Sequence, residues 1–204
     1  MKKIAFVITA IVLIITACNN NSKSSKETET SKMDTTKNTQ VENTPMAEVN
    51  HTFSNVDPKL GVSLKTVVDH YLHVKNALVN DDGSDAARGG KEMADAMVKI
   101  DKSLFTAEQK KIYDGIEDDL KEHAEHIGKN AGNIEHQREH FSMMSEDVYD
   151  LVKAFGGGQT LYHDHCPMAN DNKGAMWLSE FKEIKNPYFA GKMSECVTVP
   201  EVIK

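Results

Sequence analysis

Residues 161 to 171 read LYHDHCPMAND, and within six positions His163, His165, Cys166 and Met168 bring together two imidazoles, a thiol and a thioether. Pro167 fixes the local backbone and removes a donor, which suits a preorganised ligand loop. Further on, KMSEC supplies Met193 and Cys196 at i, i+3. Thiolate and thioether together select copper(I), and histidine can complete such a site. Zinc would use the cysteines and histidines but gain little from methionine. All six side chains would be too many for copper(I), so they are alternatives for one coordination sphere. The same two cysteines also suit a structural disulfide, closing a loop of about thirty residues and stabilising by about 3–4 kcal/mol. Residue chemistry alone leaves the metal site and the Cys166–Cys196 disulfide evenly matched.

The chain carries nine histidines. His136 and His140 stand at i, i+4 and share one face of a helix, with Met143 and Met144 one turn along the same side. A His-His-Met stripe is a second metal-capable pattern, set against a reading in which Met144 is core and the histidines are solvated. His73 and His126 fall on polar faces and read as solvated. His70 and His123 flank apolar stripes and read as partners of backbone or carboxylate. Arg138 lies almost on an apolar line and needs a carboxylate there, so its reading is structural. Cys166 beside His165 superficially suggests a thiol nucleophile. Adjacent residues of an extended chain point apart, however, and no third orienting group is evident, so no enzymatic activity is expected.

The elements that must position these residues are mostly helical in pattern. Leu60, Leu64, Val67, Tyr71, Val74 and Leu78 recur on one face of a first helix. Ala86, Met93, Ala94, Met97 and Ile100 mark a second, weakened by Gly89 and Gly90. TAEQ at 106–109 is a capping box, and Ile112, Ile116, Leu120, Ala124 and Ile127 continue that third helix. Ile134, Phe141, Val148, Leu151, Val152 and Phe155 carry a fourth, ending at the three glycines 156–158. These predict an all-α fold: an up-down four-helix bundle with an irregular, aromatic-rich C-terminal segment, 159–204, packed on it.

The N-terminus addresses location. Residues 1–17 carry two lysines and then an apolar run shaped like a secretory signal. The run ends in ITAC and resembles a lipobox, which makes Cys18 the lipidation site. Residues 18–58 are rich in Ser, Thr, Asn, Lys and Glu and read as a disordered polar tether with a reach of roughly 35 Å; His51 reads there as solvated. Residues 59–204 form the folded domain. A formal net charge of −7 argues against a nucleic-acid surface. The expected setting is the cell envelope, on the periplasmic face of the outer membrane.

Residues 165–196, HCPMANDNKGAMWLSEFKEIKNPYFAGKMSEC, resemble the signature of the bacterial envelope family called domain of unknown function 3347, and IEHQREHFSMMSEDVYDLV resembles its other characteristic run. The resemblance covers about residues 60–200. It implies a setting among lipoproteins and periplasmic adaptors of copper- and silver-efflux pumps. It also implies Cys166, Met168, Met193 and Cys196 as metal ligands. Ala190 and Val197 stand where the family usually has glycine. The expectation is therefore a lipid-anchored envelope protein that binds copper(I), with zinc or silver as alternatives, for buffering or for hand-over to a heavy-metal efflux adaptor or metallochaperone. The alternative is a disulfide-stapled interaction module without metal.

Overall fold

Apolar residues three and four apart build most of the molecule. The computed structural model describes residues 46–204; the signal segment, Cys18 and the tether up to residue 45 lie outside the described residues. Helix α1 (Pro58–Val79) is capped by Asp57, whose side chain accepts from Lys59 and Leu60 N–H, and Pro58 occupies the first turn, where its missing donor costs nothing. Helices α2 (Gly83–Met97), α3 (Ala107–Asp114), α4 (Glu117–Lys129) and α5 (Ile134–Phe155) follow. The capping box at Thr106 and Gln109 forms as expected and opens α3. Gly156, at φ 84°, ends α5 in a conformation open to glycine. Helix α1 packs on α2, α2 on α4, α4 on α5, and α5 returns to α1. Tyr71, Phe141, Leu120, Met93 and Met144 lie fully buried among them.

The expected third helix is two helices. Gly115 caps α3 and Ile116 turns inward, 7 % exposed, before α4 begins.

The two glycines of α2 have a packing role that the helical periodicity hides. A Cβ on Gly89 would lie 2.9 Å from Val74 Cγ2 of α1, and one on Gly90 would lie 2.7 Å from the Ala124 carbonyl oxygen of α4. The bare backbone thus lets α2 approach both neighbours. Gly90→Ala would gain about 1 kcal/mol of helix propensity. It would also force the α2–α4 backbones apart, an overpacking cost of about 1–3 kcal/mol that usually outweighs the gain. The expected result is a lower urea midpoint at unchanged slope; a midpoint at or above that of the wild type would show that α2 and α4 yield freely.

The all-α expectation is overturned by a four-stranded mixed sheet in the order β1-β4-β2-β3. Its strands are β1 (Ala47–Val49), β2 (Leu161–Cys166), β3 (Ala175–Ser179) and β4 (Thr198–Ile203). Strand β1 runs parallel to β4, and β2 is antiparallel to both β3 and β4. Strand β1 falls in the stretch whose composition reads as tether, and in that stretch His51 Nδ1 also lies 3.3 Å from the Lys204 carbonyl oxygen. The C-terminal segment expected to be irregular supplies the other three strands. Pro200 sits in the central strand β4 where the β2–β4 register shifts, so its missing N–H falls at an irregularity in the ladder. On the sheet edge, Leu178 N–H donates to Tyr71 Oη at 2.9 Å, and Tyr71 Oη lies 2.9 Å from Ser145 Oγ. That fastens β3 to α1 and α5.

Candidate metal centre

Helices α4 and α5 form a hairpin around the short turn Asn130–Asn133. Asn130 Nδ2 donates to the His126 carbonyl at the end of α4, and Asn133 Oδ1 accepts from His136 N–H at the start of α5. Buried Gln137 donates to the Gly83 and Ile127 carbonyls and locks the hairpin onto α2. Both helices therefore leave the turn in fixed phase. Four imidazoles meet across the seam: His123 and His126 from α4, His136 and His140 from α5.

The rings of His126 and His140 stack at 4.3 Å with a 19° interplanar angle, and His136 meets His140 edge-on at 4.5 Å. One ring nitrogen from each of His126, His136 and His140 lies within 4.8 Å of the other two. His123 Nδ1 is 3.1 Å from His140 Nδ1, which makes it the fourth donor at hand. His136 Nδ1 lies 3.2 Å from Glu139 Oε2, an outer carboxylate able to orient that ring.

The electrostatics favour the unprotonated form of His140 and His123. Burial, reinforced by the three neighbouring imidazoles, lowers His140 to about 4. Burial also lowers His123. A neutral imidazole is the ligand form. Further along the seam, burial and the neighbouring Asp119 raise Asp147 to about 6.

Residues 67–160 match the model of a family described as a protein of unknown function, DUF3347. Over this stretch the chain is similar to that family. No curated protein and no solved structure matches the chain. The DUF3347 stretch holds all four imidazoles of the seam. It ends before the Cys166–Cys196 segment, which carried the more specific part of the sequence resemblance.

Outside the DUF3347 stretch, the sulfur ligands expected from the sequence are dispersed. Cys166 is wholly buried in the core, whereas Cys196 is exposed, and both are free, so the Cys166–Cys196 disulfide is not formed. Neither joins a cluster of three metal-capable His, Cys, Asp or Glu side chains among the described residues. Met168 and Met193 line one cleft, of about 680 Å³, with Glu135, Glu139 and Ser142 of α5. The C-terminal segment thus returns along α5 towards its first turns. It arrives on a different face from His136 and His140, and Glu139 touches both places.

Strand alternation separates the other residues of the motif. Asp164 and Cys166 are buried, whereas His163 and His165 are only half-buried. His163 packs at a tilt against the Tyr149 ring, 4.5 Å between centroids, and lies 3.7 Å from Glu201, and burial lowers its pKa. His165 lies over Gly174, where a Cβ would approach its Nε2 to 2.9 Å.

Of the helical readings, Met144 is core and Met143 is exposed. Arg138 has the expected structural role: it donates to Asp81 Oδ1 at 2.7 Å and to the Pro187 and Leu78 carbonyls. Reading one helix at a time left His123 and His126 out of the site. The signal lay in hairpin symmetry: counted outward from the turn, His123 and His140 are equally distant, and His126 and His136 nearly so.

Proposed function

We propose that this protein binds a transition-metal ion through His126, His136 and His140, with His123 as an exchangeable fourth donor. The convergence of three ring nitrogens within 4.8 Å on a rigid helical hairpin carries this reading. Imidazole suits copper and zinc alike, and the envelope context implied by the sequence resemblance favours copper. Because His126 and His136 are half-buried, with only His140 buried behind them, the ion could exchange with a partner by ligand replacement, which fits buffering or hand-over without catalysis. A lipid on Cys18 would hold the domain at a membrane. No helix among the described residues is long and apolar enough to cross one.

Titration of copper(II) and zinc(II) against a competing chelator tests the reading. His136→Ala/His140→Ala is expected to weaken binding by at least about 100-fold, the upper end of what losing a mere outer-shell partner costs. Cys166→Ser/Cys196→Ser is expected to leave it unchanged. Should the cysteine variant abolish binding while the histidine variant keeps it, the imidazole centre is wrong and the sulfur site is restored.

A further inference from the structure

A second group of donors lies on the other side of α2, sharing no residue with the α4–α5 seam. His70 and His73 stand at i, i+3 on α1, and Glu92 reaches them from α2. Glu92 Oε2 lies 3.4 Å from the Nδ1 of His70 and 3.4 Å from the Nδ1 of His73. The three ligand atoms lie within 4.8 Å of one another. Two histidines and one carboxylate make a donor set used for zinc(II) and other divalent transition metals.

Three further features make this more than a pair of surface ion pairs. The far nitrogen of His73, Nε2, lies 2.7 Å from Asp85 Oδ1. That carboxylate–histidine arrangement fixes the ring so that Nδ1 faces Glu92, as outer-shell carboxylates do for metal-bound histidines. Asp85 is in turn paired with Arg88 one turn on. Gly89 allows the close approach, since a Cβ there would come within 3.3 Å of the His73 ring as well as of Val74. Finally, a cleft of about 320 Å³ opens beside His70 and Glu92, lined also by Ser63, Thr66, Asp95 and Lys99.

We infer that His70, His73 and Glu92 form a second, separate divalent-metal site, oriented by Asp85 and open to the α1–α2 cleft. The chain then carries two ions of different accessibility: one between α4 and α5 held by imidazoles alone, and one between α1 and α2 with a mixed nitrogen–oxygen shell. The cleft side leaves room for water or an exchanging ligand in the remaining positions. This inference stands independently of the α4–α5 centre.

The test is a calorimetric titration of zinc(II) alone into the chain at neutral pH in a non-chelating buffer. Two equivalents are expected. His73→Gln and Glu92→Gln, both at partly exposed positions, are each expected to remove one equivalent, with helix content by circular dichroism unchanged. Asp85→Asn is expected to keep both equivalents but weaken one about 10–100-fold. If His73→Gln binds zinc with the stoichiometry and affinities of the wild type, the second site is overturned. His136→Ala/His140→Ala reads the other centre separately: if it loses nothing while His73→Gln loses one equivalent, the α4–α5 reading fails and this one stands.

Discussion

Lys75→Ala is expected to destabilise the protein by about 3–5 kcal/mol, the range for removing one partner of a buried ion pair. Lys75 is 2 % exposed and reaches Glu180 at 2.8 Å, with Ser179 Oγ at 3.4 Å. Asn76 Nδ2 donates to the other Glu180 oxygen at 2.8 Å, and the ammonium lies 5.3 Å from the centre of the Phe181 ring. Burial lowers the Lys75 pKa against the opposing pull of Glu180. Burial by itself would raise Glu180, but the hydrogen bonds from Lys75 and Asn76 outweigh it and the carboxyl is lowered. The pair joins α1 to the chain leaving β3, so it ties the sheet to the helices. Removing the cation leaves half-buried Glu180 and nearby buried Asp164 without it. Replacing both partners with apolar groups removes the orphan as well. Lys75→Met/Glu180→Met is therefore expected to recover most of the loss, because a buried pair is often no better than packed apolar side chains. Urea unfolding of both single variants and the double gives the coupling directly. Additive losses would mean that the pair is solvated and contributes little.

The second large effect is a pH dependence located at Asp164. This residue is 1 % exposed in β2, and no well-formed hydrogen bond reaches either carboxylate oxygen. Burial raises its pKa from 3.8 to about 7, against the opposing effects of Lys75 and the Trp177 indole. A folded-state pKa above the unfolded one means that the native state holds a proton the unfolded chain releases. Stability from this group is thus complete below about pH 4 and declines as pH rises to about 7, by up to about 4 kcal/mol in all. His140, lowered to about 4, acts in the opposite sense over a similar window, and Asp147, raised to about 6, acts in the same sense as Asp164. The wild-type profile alone is therefore a mixture. The difference between wild type and Asp164→Asn isolates the one carboxyl. The variant is expected to match the wild type near pH 4 and to exceed it increasingly towards pH 8. A difference independent of pH would mean that Asp164 is ionised and satisfied throughout.

What could be read along the chain was what depends on near neighbours. The apolar stripes of α1, α2 and α5, the Thr106 capping box, the glycine stop after Phe155 and the need of Arg138 for a carboxylate are all settled within a few turns of helix. The break at Gly115 is local too, but Ile116 continues the apolar phase across it and conceals it. The sheet was not legible because its pairings are distant and its strands are short or polar. β1 has three residues and pairs with the last residues of the chain, β2 carries a buried aspartate, and β4 contains a proline.

The candidate site divides along the same line. Sequence alone determined which side chains have ligand chemistry, and it put His136 and His140 on one face because helical spacing does so without any partner. It could not assign His123 and His126 to that face, since their direction depends on how α4 packs against α5. Nor could it show that Cys166 and Cys196 part company, because a strand sends successive side chains to opposite faces only once the sheet exists. Tertiary structure decided both, through contacts between segments far apart in the chain: the hairpin gathers the imidazoles at its turn, and β2 draws Cys166 into the core while Cys196 stays at the surface.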